Sequence, residues 1–308
     1  MIQNTTLLVL VCSLLLSACG ASQDQDTLIE KYTNKHSKFM PLDGNRIHYR
    51  DEGQGEVIVL LHGTASSLHT WDSWVPELSK QYRVIRMDLP GFGLTGPDQE
   101  NQYEVEDDIA FLSDFLAQLS LDSVHLVGSS LGGRIAWEYS LAHPNQVKSL
   151  TLMNALGYPQ ERWPPAIELA QWPLMDKIMA HVSPRFLYET GLKEVYFNAA
   201  QVTDEVVDRY YELSRYPGNL DAFPRRVKAR LDTDADKITQ VSVPTLILWG
   251  REDIYFPVEN ALRFHQDIKN SSIYIYPNVG HLPMEEAPSR SLTDFLNFMH
   301  PRMNYSSL

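Results

Sequence analysis

Cysteine is almost absent from this chain of 308 residues. Only Cys12 and Cys19 occur, and both lie within the first 19 residues. The rest of the chain therefore has no disulfide bond, no thiol nucleophile and no thiolate metal ligand. These absences exclude cysteine proteases and zinc fingers as function classes.

Positive charge is also scarce. The chain has 26 Lys and Arg residues against 39 Asp and Glu, which gives a formal net charge of -13. An acidic surface without a basic stripe repels nucleic acid, so we expect no nucleic-acid partner. The sequence contains no metal-ligand cluster, Walker loop or dinucleotide fingerprint, since the glycines at 91 and 93 lack the remaining spacing. We therefore expect no cofactor and no metal, and a small organic molecule as the substrate.

The first residues of the chain have the composition of an export signal. Residues 7–16 are almost wholly apolar, which is too short for a stable span but typical of a signal peptide. The following stretch, Leu16-Ser17-Ala18-Cys19, resembles the lipobox of bacterial lipoproteins. The resemblance implies that residues 1–18 are removed and that Cys19 carries a lipid. Residues 19–40 are then expected to be the lipidated cysteine and a polar tether.

This reading predicts a location in the bacterial cell envelope, anchored to the outer membrane and facing the periplasm. Two alternatives remain open, a plain secretory signal cut nearby and an uncleaved apolar anchor. Residues 1–6 contain no Lys or Arg, whereas a signal peptide usually carries positive charge there.

Buried strands and amphipathic helices alternate along most of the chain. Short apolar runs predict strands, and apolar residues at helical spacing predict helices between them. The predicted strands are 46–50, 56–61, 82–87, 123–127, 147–153, 245–249 and 272–276, and the predicted helices are 105–119, 135–141, 258–268 and 289–299. This alternation predicts an α/β fold with a mostly parallel central sheet and helices on both faces.

The alternation stops between residues 156 and 241, where helical stretches rich in Trp, Met, Tyr and Pro take over. We interpret this segment as an inserted helical cap, so that residues 41–155 and 242–308 form one core domain. The cap is apolar enough to cover a pocket for a hydrophobic substrate. Its large apolar residues are Trp163, Trp172, Met175, Met179, Phe186, Tyr188, Tyr196 and Phe197.

A G-x-S-x-G motif stands where a predicted strand passes into a helix. It runs from Gly128 to Gly132 with Ser130 at its centre. A tight strand-to-helix turn needs small residues two before and two after the nucleophile, and it projects that nucleophile outward. Ser129 does not fit, because the flanking positions would be Val127 and Leu131. The motif therefore predicts Ser130 as a nucleophile.

A serine nucleophile needs a general base and an acid that orients it. Asp253 and His281 each follow a predicted strand, and the carboxyl ends of parallel strands meet at one edge of a sheet. We therefore expect both side chains to meet Ser130 there. Glu252, adjacent to Asp253, is the competing acid, and His62 is the competing base.

These motifs resemble those of the α/β-hydrolase fold family, whose catalytic residues follow the order serine, acid, histidine. The resemblance covers residues 46–299 and implies the roles of nucleophile, acid and base for Ser130, Asp253 and His281. The segment His62-Gly63-Thr64 resembles the family's oxyanion loop. It implies that the backbone N–H groups of Thr64 and Leu131 form the oxyanion hole.

The resemblance also narrows the reaction. Haloalkane dehalogenases and epoxide hydrolases of this fold use Asp as the nucleophile, so Ser130 argues against both. We expect hydrolysis of a carboxylic ester of a small to medium hydrophobic substrate through an acyl-enzyme. The main alternative is a carbon–carbon bond hydrolase of the same fold, followed by amidase, peptidase and cofactor-free haloperoxidase activities. A non-catalytic binding protein of this fold is the alternative from a different class.

Overall fold

The computed structural model describes residues 24–179, 181, 183–229 and 234–300. The predicted signal peptide and Cys19 lie outside the described residues. No helix in the described ranges is long and apolar enough to cross a membrane.

The core is an eight-stranded sheet. Its strands are β1 (Ser37–Leu42), β2 (Asn45–Glu52), β3 (Glu56–Leu61), β4 (Tyr82–Met87), β5 (Val124–Ser129), β6 (Val147–Met153), β7 (Thr245–Gly250) and β8 (Ser271–Tyr276). Their order in the sheet is β1-β2-β4-β3-β5-β6-β7-β8. The β1–β2 and β2–β4 pairs are antiparallel, and every other pair is parallel. The strands β3, β5, β6 and β7 therefore end at one edge.

The core helices are α1 (Gln25–Tyr32), α2 (Val75–Leu78), α3 (Val105–Gln118), α4 (Leu131–Ala142), α10 (Val258–Asp267), α11 (Pro283–Glu286) and α12 (Pro288–Met299). Apolar residues of α3, α4 and α10 pack in one buried cluster, and those of α2 and α12 pack in another. The predicted α/β architecture with helices on both faces is confirmed.

Between β6 and β7, the described residues contain helices and no strand. These are α5 (Pro165–Ala170), α6 (Met175–Met179), α7 (Arg185–Val195), α8 (Asp204–Ser214) and α9 (Asn219–Lys228), with a short 3₁₀ turn at Ala199–Gln201. They form the inserted helical cap that the fold prediction included.

The structure differs from the prediction of a tether over residues 19–40. Residues 25–32 form α1, and β1 begins at Ser37, so the sheet starts one strand earlier than predicted. The helix is held by two apolar side chains, Leu28 and Tyr32, which are buried in a cluster with Leu94 and Leu213. The stretch is polar apart from a few such anchors, and their partners lie far along the chain, so local composition did not reveal them.

Candidate active site

Ser130 occupies a strained turn between β5 and α4. Strand β5 ends at Ser129 and α4 begins at Leu131, so Ser130 is the only residue between them. Its backbone has φ 53° and ψ -115°, a conformation that non-glycine residues rarely adopt. Hydrogen bonds hold the turn, since the Ser130 N–H donates to the Met153 carbonyl and the Ser130 carbonyl accepts from the Leu156 N–H, both at 3.0 Å.

Two glycines of the motif make this turn possible. A Cβ atom at Gly128 would lie 2.1 Å from the carbonyl oxygen of Gly132. A Cβ atom at Gly132 would lie 2.4 Å from the carbonyl oxygen of Leu61 on the neighbouring strand. No larger residue fits at either position without moving the backbone, which is the steric reason that the sequence pattern was informative.

Asp253 and His281 meet at the carboxyl edge of the sheet. The ring Nδ1 of His281 lies 2.6 Å from Oδ2 of Asp253. The other carboxylate oxygen, Oδ1, accepts hydrogen bonds from the backbone N–H groups of Tyr255 at 2.9 Å and Phe256 at 3.0 Å. Asp253 is buried, so these bonds replace the water that its carboxylate loses on burial.

The structure separates Asp253 from its neighbour Glu252. Oε2 of Glu252 accepts a hydrogen bond from the backbone N–H of Val279 at 3.1 Å, and Glu252 makes no bond to His281 within the described residues. The histidine ring packs instead on Phe256, with ring centroids 4.9 Å apart. Of the two adjacent acids, only Asp253 is placed to orient the His281 ring.

Sequence reasoning missed Asn154, which supports Asp253 directly. Its side-chain amide donates to Oδ2 of Asp253 at 2.6 Å, while its side-chain oxygen accepts from the Gly250 N–H at 3.0 Å. Asn154 is fully buried and has a φ of 41°, in the left-handed region that asparagine tolerates better than most residues. Its position directly after β6, at the same sheet edge, was the available signal.

Glu286 is a second supporting residue that the sequence did not reveal. Its carboxylate accepts hydrogen bonds from the backbone N–H groups of Gly280 at 3.0 Å, Leu282 at 3.3 Å and Phe197 at 2.8 Å. Burial raises the pKa of Glu286, although these hydrogen bonds act in the opposite direction. The residues on both sides of His281 are thus fixed, and the loop that carries the histidine is joined to the cap.

The two amides expected to form an oxyanion hole are available. Among the described residues, neither the Thr64 N–H nor the Leu131 N–H donates a backbone hydrogen bond. Leu131 is the first residue of α4, where free amides and the helix dipole favour negative charge. Both residues line the cavity that also contains Ser130 and His281.

The cavity has a volume of about 490 Å³ and lies between the sheet edge and the cap. Of the eight large cap residues singled out from the sequence, four line it, namely Trp163, Met175, Met179 and Tyr188. The Ser130 hydroxyl makes no hydrogen bond to a described residue, and contacts between catalytic groups are often completed only in the substrate complex. The arrangement suits nucleophilic attack by Ser130 on a carbonyl carbon inside an apolar chamber.

His62, the competing base, has a structural role. Its Nδ1–H donates to the Gly63 carbonyl at 2.7 Å, and its Nε2 accepts from the Leu89 N–H at 3.0 Å. Both ring nitrogens are occupied, so the ring fixes the loop that carries Thr64. Burial lowers the pKa of His62 from 6.5 to about 4.

Asp88 also holds loops together. It is fully buried and accepts hydrogen bonds from the His48 ring at 2.7 Å and from the N–H groups of Leu68 and Leu94 at 2.8 Å. Burial alone would raise its pKa, but the charge and hydrogen bond of His48 outweigh burial and lower it. These bonds give Asp88 a structural role.

The low pKa of His62 predicts a loss of stability in mild acid. Between pH 6.5 and about 4, the unfolded chain binds a proton at His62 and the folded chain does not. The free energy of unfolding should therefore fall as the pH falls through this window, by about 3 kcal/mol from this residue. Urea unfolding at several pH values between 7.5 and 4.5 measures the slope.

The control compares two histidine variants. His62→Gln should reduce the slope without abolishing it, because glutamine does not titrate whereas burial also lowers the pKa of His69, to about 3. His265→Gln, at an exposed position, is the matched histidine control. Equal slopes in the wild type and in His62→Gln would contradict the prediction.

Comparisons with known proteins agree with this geometry. The family model described as alpha/beta hydrolase fold matches residues 56–288. The chain is 33% identical over 276 residues to a 2-hydroxy-6-oxo-2,4-heptadienoate hydrolase of Pseudomonas putida, covering 82% of this chain and 93% of the relative. It is 30% identical over 275 residues to a 2-hydroxy-6-oxo-6-(2'-aminophenyl)hexa-2,4-dienoic acid hydrolase of Metapseudomonas resinovorans, covering 86% and 91%.

A solved structure gives the same picture. The meta-cleavage product hydrolase of Pseudomonas fluorescens superposes with a TM-score of 0.76 at 25% identity, covering 86% of this chain and 97% of that one. These relatives are carbon–carbon bond hydrolases. They support the alternative raised from the sequence better than its first choice, ester hydrolysis.

Proposed function

The chain belongs to the α/β-hydrolase fold family, and from this premise we propose that it is a serine hydrolase acting on a small apolar molecule. The observation that carries the proposal is the convergence of Ser130, the Asp253–His281 pair and two unbonded amides on one apolar cavity. His281 takes the Ser130 proton as the serine oxygen attacks a carbonyl carbon. Asp253 keeps the ring in the productive tautomer and stabilises its charged form.

The developing oxyanion is held by the N–H groups of Thr64 and Leu131, which are in place before the reaction starts. The bond to the leaving group then breaks, and His281 gives its proton to that group. Water, activated by the same histidine, releases the acyl group from Ser130 and regenerates the enzyme.

For the bond that is cleaved, carbon–carbon bond hydrolysis is the first candidate, because the relatives named above have this activity. In such a reaction the leaving carbon takes up negative charge, so it must belong to a conjugated system that spreads the charge. The dienoate substrates in the names of those relatives fit this requirement, with a ketone as the group that Ser130 attacks.

Ester hydrolysis is the second candidate, and a specific ion pair favours it. Arg209 is the only Lys or Arg among the described residues that line the cavity. Its Nη2 donates to Oε2 of Glu285, and the hydroxyl of Tyr196 donates to the same oxygen at 2.7 Å. The other oxygen of Glu285, Oε1, accepts from the hydroxyl of Tyr210 at 2.9 Å. With Arg209 already neutralised, the cavity offers little attraction to the carboxylate of a dienoate. A neutral ester needs no such partner.

A direct comparison of substrates tests the proposal. We expect purified protein to prefer one of two substrate classes, 2-hydroxy-6-oxo-6-phenylhexa-2,4-dienoate or p-nitrophenyl esters of graded chain length. The preferred class should have a kcat/KM at least about tenfold higher, because a single charged contact with the substrate changes kcat/KM by about that factor. Preference for the dienoate establishes the first candidate, and preference for the esters establishes the second. Loss of both activities in Ser130→Ala is the control, and no turnover of either class contradicts the proposal.

A further inference from the structure

Exposed apolar side chains are concentrated on the cap. Of the large apolar side chains that are exposed in the described residues, five lie within one stretch of the cap, and we call these five the cap patch. They are Trp172 (63% exposed), Leu174 (67%), Ile178 (50%), Phe186 (63%) and Leu187 (50%). A concentration of this kind on a soluble surface marks a contact with another apolar phase or molecule.

Two residues of the cap patch also line the cavity. Ile178 and Leu187 line the cavity and are also half exposed to solvent, so they lie at its mouth. Trp172, Leu174 and Phe186 are exposed but do not line the cavity, so they extend the apolar surface outward from the mouth. A hydrophobic molecule would therefore pass from the cap patch to Ser130 over apolar surface.

The N-terminal helix starts on the cap. Gln25 of α1 donates a hydrogen bond to the hydroxyl of Tyr216 at 2.7 Å, and Lys31 forms an ion pair with Glu212 at 2.7 Å. The hydroxyl of Tyr32 donates to Glu212 at 2.8 Å. Because Glu212 and Tyr216 belong to the cap, the described chain begins beside the cap.

The distance along the chain from Cys19 to Asp24 restricts how a protein anchored at Cys19 can sit. Four residues separate Cys19 from Asp24, so their Cα atoms lie at most about 18 Å apart in a fully extended chain. A domain of this size is roughly 50 Å across, so a lipid on Cys19 cannot reach a membrane on the side opposite the cap. If the uncleaved apolar stretch ending at residue 16 is the anchor instead, the distance along the chain from the anchor to Asp24 grows by only three residues.

We propose that the cap patch binds the surface of a phospholipid bilayer, with the mouth of the cavity facing the lipid. Trp172, Leu174 and Phe186 enter the interface, and substrate partitions from the bilayer into the cavity without crossing water. The five residues of the cap patch are apolar, and the chain carries a net charge of -13, so the contact suits a net-neutral, zwitterionic lipid surface rather than an anionic one. The proposal is independent of the bond that the enzyme cleaves.

Tryptophan fluorescence tests the contact directly. Four of the six tryptophans, Trp71, Trp74, Trp137 and Trp249, are fully buried, whereas Trp172 is the most exposed. The full chain is reconstituted into phosphatidylcholine vesicles whose acyl chains are brominated, since bromine quenches tryptophan only at close range. We expect quenching in the wild type and the loss of most of it in Trp172→Phe.

A pair of charged variants tests the functional consequence. Leu174→Glu places a charge in the cap patch, and the matched control Leu262→Glu places one at an exposed leucine of α10 in the core. Leu174→Glu should lower the rate on a vesicle-borne ester by roughly tenfold, because a charge in the interface opposes insertion. The rate on a water-soluble ester should stay unchanged in both variants.

Quenching that is absent, or that is equal in the wild type and in Trp172→Phe, would overturn the proposal. So would a concentration-dependent dimer that Leu174→Glu dissociates in detergent, because the cap patch would then bind a second copy of the chain. If the protein turns over neither an ester nor a dienoate, the proposed serine-hydrolase function fails while the quenching measurement still decides the membrane contact.

Discussion

Replacing Ser130 by alanine is expected to abolish turnover, lowering kcat by a factor on the order of 10⁴ to 10⁶. Alanine removes the only atom that can bond to the substrate carbonyl, while the elbow, the two amides and the cavity remain. The same variant should no longer be labelled by a fluorophosphonate probe, which reacts with an activated serine hydroxyl. Turnover assays and probe labelling on folded protein, with folding checked by circular dichroism, measure both effects.

The adjacent serine provides a matched control. Ser129 is fully buried and its hydroxyl has no hydrogen-bond partner among the described residues, so Ser129→Ala should remain active and labelled. Labelling that survives in Ser130→Ala would place the nucleophile elsewhere. No labelling of the wild type would favour the non-catalytic binding protein that the sequence left open.

Replacing Asp253 by asparagine is expected to lower kcat by about four orders of magnitude. The new amide can donate to Nδ1 of His281, and this bond favours the tautomer that carries its proton on Nε2. A protonated Nε2 cannot accept the proton of Ser130, so the base is blocked although the site keeps its shape. Steady-state kinetics on the preferred substrate gives the loss, and KM should change little.

Glu252→Gln is the control for this prediction. Glu252 precedes Asp253 in the chain and accepts a hydrogen bond from the Val279 N–H, which glutamine can also accept. Activity should therefore stay within a few-fold of the wild type. An equal or larger loss in Glu252→Gln than in Asp253→Asn would contradict the assignment of Asp253 as the orienting acid.

The prediction of the serine elbow from sequence was possible because its requirements are local. Gly128 and Gly132 are needed within two residues of Ser130, and the steric reason for them acts at that range. The supporting residues depend instead on contacts between distant parts of the chain. Asn154 and Asp253 lie 99 positions apart, and their positions after β6 and β7 indicate a shared sheet edge but not the bond between them.

The same distinction explains the error at the N-terminus. Helix α1 has only Leu28 and Tyr32 as buried anchors, and the tertiary partners of these anchors include Leu213 of the cap. A short polar stretch with two apolar residues is compatible with a tether as well as with a docked helix. Lipidation of Cys19 and the envelope location remain predictions.

The amino-acid sequence by itself determined the α/β fold, the helical cap and the nucleophile motif, because periodicity and small-residue spacing act over a few positions. The order of serine, acid and histidine came from the resemblance to the α/β-hydrolase fold family. Only the tertiary structure decided that Asp253 rather than Glu252 bonds His281, that Glu285 neutralises Arg209, and that helix α1 contacts the cap. Each of these depends on which surfaces the folded chain brings together from distant positions. Such contacts are set by packing in three dimensions, and local composition carries no record of them.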